Sequence, residues 1–159
     1  MRTLLIAALA LAACAGPAQS APTTAEAFAP LIGCWRGTFE GNGDVYDERC
    51  FETLGAHVVD RHHVQPTEYS GETTYHDDDA GGIIFAYAAS DGGRSHGAVR
   101  MEEGRFIIAP HTHISGDGTE HRLRGVWGLE TPDRLVMRSE READGAWAPF
   151  MRITYERTR

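Results

Sequence analysis

Turn-forming residues recur every eight to twelve positions along this chain from residue 30 onward, and that spacing rules out most folds. The clusters are Gly41-Asn42-Gly43-Asp44, Thr53-Leu54-Gly55, Gln65-Pro66, Asp77 to Gly82, Asp91-Gly92-Gly93, Glu103-Gly104, Ser115 to Gly118, Thr131-Pro132-Asp133 and Ala143-Asp144-Gly145. They separate ten short segments, of which Ile83 to Tyr87 and Met151 to Tyr155 are typical, rich in β-branched and aromatic residues. No longer window places apolar residues at helical spacing, and only Thr23 to Ala29 can form a helical turn. Ten strands joined by tight turns predict an all-β domain over residues 31–159. The expected form is a single antiparallel up-and-down β-barrel, because closure removes the exposed edges of an open sheet. The segments differ too much from one another for a propeller or solenoid.

The first hairpin, GCWRGTFEGNGDVYDERC, carries cysteines at 34 and 50 on either side of a glycine-rich turn. A two-residue Asn42-Gly43 turn pairs positions that sum to 85 and sets Cys34 against Phe51, whereas a turn of Gly41, Asn42 and Gly43 pairs positions that sum to 84 and sets Cys34 opposite Cys50. Opposed Cα atoms about 4.5 to 5.5 Å apart lie within disulfide reach, so a Cys34–Cys50 bond is predicted. Neighbouring side chains alternate between faces. A disulfide on the outside therefore turns Trp35 inward, and Gly37, Phe39, Val45, Asp47, Arg49 and Phe51 share its face. Arg49 then lies opposite Trp35 as a cation–π candidate, with Asp47 close enough to neutralise it. A buried ion pair is costly unless fully bonded, so this part of the barrel is either wet or fully satisfied.

Residues 1–14 carry one positive charge and then an apolar run shorter than the roughly twenty residues a membrane span needs. They read as a secretory signal peptide. Leu11-Ala12-Ala13-Cys14 resembles the lipobox of bacterial lipoproteins, which implies lipidation of Cys14 and, with Ala15 next to it, anchoring to the outer membrane from the periplasm. The competing cut follows Ala18-Gln19-Ser20 and would release a soluble protein. Residues 15–30 are mostly Ala, Pro, Ser and Thr and read as a flexible tether. An oxidising compartment fits the predicted disulfide. All 15 basic residues are arginine, scattered among 23 acids at a net charge of −8, with no basic stripe, so nucleic acid is not an expected partner.

Gly33-Cys34-Trp35 at the head of a meander barrel resembles the calycin superfamily, which includes lipocalins, fatty-acid-binding proteins and nitrobindin-like barrels. The resemblance covers about residues 31–158 and rests on one sharp motif of three residues. It implies that Trp35 closes one end of the barrel with an arginine packed across it. Arg152 or Arg157 can supply that arginine, in competition with Arg49. Ten segments and a tight first turn look more like the nitrobindin type, which implies haem held by a histidine of the last strands. The last histidine here is His121, so no cofactor is expected.

The chain has eight histidines. His111 and His113 share one strand face, and His62-His63 offers one more to either face, but no third ligand stands at a metal-site spacing. No metal is expected. His76-Asp77-Asp78-Asp79 lacks the ligand spacing of a calcium loop and reads as a charged turn. No serine sits in a nucleophile elbow. A barrel of this strand number is wider than side chains readily fill, and Tyr87, Arg100, His111 and His113 are the candidate polar groups inside it. The leading expectation is a secreted, lipid-anchored barrel that binds a small amphipathic or apolar molecule. An acid–base enzyme using an inward Tyr75, Tyr87, His96 or Arg100, and a filled barrel serving as an envelope interaction module, are the rivals.

Overall fold

The computed structural model describes residues 22–158. A short helix, α1 (Thr24–Phe28), runs into a 3-10 turn (Ala29–Leu31) and then into ten strands. These are β1 (Gly33–Phe39), β2 (Asn42–Leu54), β3 (His57–Gln65), β4 (Ser70–Asp77), β5 (Ile83–Ala89), β6 (Arg94–Glu102), β7 (Arg105–Ile114), β8 (Glu120–Thr131), β9 (Arg134–Ala143) and β10 (Ala146–Arg157). Each strand pairs antiparallel with its neighbours in sequence, and β1 closes on β10, so the sheet is an up-and-down barrel with no free edge. Every predicted turn falls between two strands.

The first hairpin has the predicted register by a different route. Cys34 faces Cys50, Trp35 faces Arg49 and Gly37 faces Asp47, and the disulfide is formed. The reversal itself is tighter than expected: Phe39 pairs with Asn42 across Glu40 and Gly41, with Gly41 at φ +80°. The extra residues of β2 are absorbed in an irregularity between Thr38 and Phe39. Cys34 is exposed and Trp35 is buried, so the disulfide lies outside and the indole inside.

The signal peptide, Cys14 and the start of the tether lie outside the described residues. The end of the tether-like stretch is part of the barrel domain instead. α1 is capped by Thr23, which exchanges bonds with Glu26 in a capping box. Thr24 donates its backbone N–H and its hydroxyl to Asp77 Oδ1, both at 2.6 Å, which ties the helix to the end of β4. Those bonds also hold the Asp77 carboxyl below its ordinary range. Phe28 and Leu31 are fully buried, and the Phe28 ring lies 4.4 Å from Tyr75, 4.6 Å from Phe106 and 6.2 Å from Phe51. Two large apolar side chains in an otherwise small and polar segment are enough to seat it in the barrel end.

Trp35 belongs to the same closed end. Its indole N–H donates to the Leu31 carbonyl at 2.8 Å, and the guanidinium over its ring, at 4.0 Å, is that of Arg157. Arg157 also donates to the carbonyls of Pro30, Ile32 and Pro132, stitching the plug to the turn between β8 and β9. The expectation of Arg152 at this place is corrected: Arg152 lies midway along β10 and pairs with Glu40 at 3.0 Å, just past the end of β1. Arg49 is corrected too as the partner of the indole, because two aspartates hold its guanidinium elsewhere.

Candidate functional site

Above the plug the barrel is hollow. The apolar core gathers at the closed end, around Phe28, Leu31, Phe51, Val58, Val99 and Leu135. The other end is ringed by Phe39, Tyr69, His113, Ser115, His121 and Phe150 and forms the mouth. The cavity measures about 1450 Å³, a figure that takes in some outer wall beside Arg100, Ile107 and Arg138. Phe85, Ile108, Trp127, Met137 and Ile153 line its apolar side.

The opposite side is polar and continuous, and its parts come from β2 to β5 and β10. Arg49 donates its Nε to Asp47 at 3.2 Å and its Nη1 to Asp60 at 2.8 Å. Tyr75 donates to Asp60 at 2.7 Å and Tyr155 donates to Asp47 at 2.7 Å. The free Asp47 oxygen stands 2.9 Å from His62 Nδ1, His62 Nε2 stands 3.2 Å from the Tyr87 hydroxyl, and Tyr87 stands 2.6 Å from the Tyr69 hydroxyl. The chain runs from the barrel floor at Asp60 to the mouth at Tyr69. Asp47 and Asp60 are 1% and 0% exposed, and each carboxylate accepts from Arg49 and from a phenol, so both buried acids of the ion pair are hydrogen-bonded.

Burial works to raise the Asp47 carboxyl, but the bond to His62 and the Arg49 charge outweigh it and hold it below the ordinary range. Burial likewise opposes the Arg49 charge, and the carboxylates, Asp60 first, outweigh that and keep the guanidinium protonated. Tyr75, Tyr155 and Tyr87 are pushed well up, each mainly by burial, with Asp60, Asp47 and Tyr69 respectively adding to it. The phenols therefore stay protonated and serve as hydrogen-bond relays. An ionised carboxylate only accepts, so His62 donates its Nδ1–H to Asp47 and turns Nε2 towards the Tyr87 hydroxyl.

Two glycines make these contacts possible. Gly37 lies between Asp47 and Tyr155 in register, and a Cβ there would come 2.5 Å from the Tyr155 ring. Gly71 lies opposite His62, and its Cβ would come 2.5 Å from the Tyr87 hydroxyl and 2.6 Å from His62 Nε2. Each glycine is a window over which a phenol passes to the strand beyond: Tyr155 crosses β1 to Asp47 on β2, and Tyr87 crosses β4 to His62 on β3.

Tyr87 stands inside this network, and so do Asp47 and Arg49. His111 and His113 line the cavity on the far side: His111 meets the Phe85 ring edge-on at 5.1 Å, and His113 lies 6.1 Å from the Tyr87 ring. Both are held below the ordinary histidine range by burial. Arg100 is corrected. Val99 takes the inward position on β6 at 1% exposure, so Arg100 points outward, its side chain 63% exposed and paired with Glu102 at 3.1 Å. Among the described residues no group of three or more His, Cys, Asp or Glu could hold a metal ion.

Asp60 and Tyr69 escape the sequence reading, which weighs His62 only as a metal ligand and gives Tyr155 no polar role, yet a signal for Asp60 and His62 is present. A two-residue turn of Gly55 and Ala56 sets Leu54 against His57, and the same register brings Asp60 opposite Phe51 and His62 opposite Arg49. Parity then puts both on the Trp35 face. Compared with known proteins, the chain matches no protein-family model and no curated sequence.

Proposed function

We propose that this protein is a secreted, calycin-like barrel, lipid-anchored through Cys14, that takes up a small amphipathic or apolar molecule in its cavity. The observation that supports it is the hollow itself: plugged at one end by Phe28 and Leu31, ringed at the other by aromatic and histidine side chains, apolar on one wall and hydrogen-bonding on the other. Binding sites for small molecules share this build, a mostly apolar concavity with a few polar groups on one side. The apolar leader, the lipobox-like Leu11 to Cys14 and the Cys34–Cys50 disulfide support export. The test is native mass spectrometry of the full chain, exported by its own leader, beside its denatured mass. An extra mass lost on denaturation supports uptake; bare protein from several growth conditions, with no hydrophobic probe taken up, removes it. The denatured mass also reads out lipid on Cys14.

A second reading is acid–base chemistry on the bound molecule, and Asp47–His62–Tyr87 favours it. A carboxylate orients an imidazole whose other nitrogen meets a phenol facing the cavity, the arrangement a general base needs. Recovered ligand incubated with the protein in D2O should gain deuterium at an acidic C–H position, and His62→Gln should abolish that gain while leaving uptake. No exchange with wild-type protein removes the second reading and leaves the first.

A further inference from the structure

We infer that the cavity selects an amphiphile whose head carries no negative charge, and turns away the carboxylate of the same tail. The inference rests on the uptake reading above and names the ligand class. An arginine in a hollow barrel is the natural anchor for a carboxylate, since its N–H groups match the two oxygens. Here that capacity is already used: Nε is bonded to Asp47 and Nη1 to Asp60. A carboxylate reaching the remaining Nη2 would meet two buried carboxylates for one guanidinium, a net charge of −1 in a poorly screened site. The imidazoles facing this wall do not change that sum when neutral. His111 and His113 are held low by burial, and His121 lies beside His113 across β7 and β8.

The rest of the wall is built of neutral hydrogen-bonding groups: the Tyr87 hydroxyl stands 3.2 Å from His62 Nε2 and 2.6 Å from the Tyr69 hydroxyl at the mouth. An alcohol, phenol or ammonium head can bond to these hydroxyls without adding a negative charge to the site.

The experiment is displacement of the neutral probe N-phenyl-1-naphthylamine from the full chain at about pH 8, where imidazoles are neutral and fatty carboxylates ionised. The competitors are decanol, decylamine, decyl methyl ether and decanoate. Decanol, decylamine and the ether should displace the probe, and decanoate about tenfold or more less well than decanol. Asp60→Asn removes one buried negative charge and should narrow the gap between decanol and decanoate. If that variant does not fold, the wild-type comparison alone decides. Decanoate binding as well as decanol and the ether overturns the charge argument, while uptake stands. If the probe and all four competitors fail to bind, the uptake reading falls and takes this inference with it.

Discussion

Replacing Arg49 by Met tests whether the buried network is as dry as its geometry states. Methionine fills much of the same volume without charge, so the cost lies mainly in what it leaves behind. Asp47 and Asp60, 1% and 0% exposed, lose the cation that holds both of them. Breaking a buried ion pair from one side costs about 3–5 kcal/mol, because the remaining charges are uncompensated. For a domain of this size that lowers Tm by roughly 10 °C or more. The pH dependence carries the sharper signature. In the wild type the Asp47 carboxyl is held below its ordinary value, so its stabilisation is present above the unfolded value near ~4 and is lost only as pH falls through the lower folded value. In Arg49→Met the Asp47 carboxyl loses one of the groups that hold it down, and burial pushes it up against the remaining bonds from His62 and Tyr155. Its folded value rises, and the deficit relative to wild type grows as pH increases between the two folded values, by up to about 1.4 kcal/mol per pH unit. Urea unfolding of both proteins at about pH 5 and pH 8 measures it, and the gap between them should widen at the higher pH. Converting all three charges together, as Asp47→Asn, Arg49→Met and Asp60→Asn, should recover most of the loss. A gap below about 1 kcal/mol that is the same at both pH values would refute the reasoning, because it is what a water-filled, screened site gives.

Three further outcomes follow from the fold and the site. Cys34→Ser with Cys50→Ser opens a bridge over a sequence separation of 16, which should cost roughly 3 kcal/mol in chemical unfolding under non-reducing conditions, and reductant should do the same to the wild type. Phe28→Ala removes the ring packed on Phe51, Tyr75 and Phe106 and should cost about 3–5 kcal/mol, with hydrogen exchange rising first in residues 24–31. Gly71→Ala places a methyl group against the Tyr87 hydroxyl and His62 Nε2, at an overpacking cost of about 1–3 kcal/mol. Its imidazole NMR signals should report a separated His62–Tyr87 pair, and a bond that persists would mean the window is not needed.

The barrel is legible because turn chemistry and parity are local. Glycine, proline and aspartate clusters mark the strand ends, and alternation assigns faces within each strand. The Cys34–Cys50 register is legible as well, but the turn that delivers it is not. Phe39 pairs with Asn42, and β2 takes up the slack, an irregularity that no pattern of apolar residues records. The inward placement of Arg100 fails for a related reason. One residue decides parity on β6, and Val99 competes for the inward slot with better chemistry for it. The plug resembles a tether because its average composition is that of a linker; what seats it is a few particular contacts, the buried Phe28 and Leu31 and the bonds of Thr24 to Asp77, not the average.

The polar chain is the least legible part, and the reason is physical. Its bonds to Asp47, Asp60 and Tyr87 from Arg49, Tyr75, Tyr155 and His62 reach across β2, β3, β4, β5 and β10, so no spacing along the sequence encodes them. What encodes them is register, and register depends on how many residues each turn consumes. Once the Gly55-Ala56 turn is fixed, Arg49 must face His62, and the charge of Arg49 needs buried acids within reach. Glycine then becomes informative. A strand position that gives up its side chain, as Gly37 and Gly71 do, lets a large polar group cross to the next strand. The phenols that cross, Tyr155 and Tyr87, each end on a partner of Asp47 or on Asp47 itself, so both windows serve the same carboxylate. That convergence distinguishes a built polar wall from a set of incidental buried groups, and it centres the wall on Asp47 and His62.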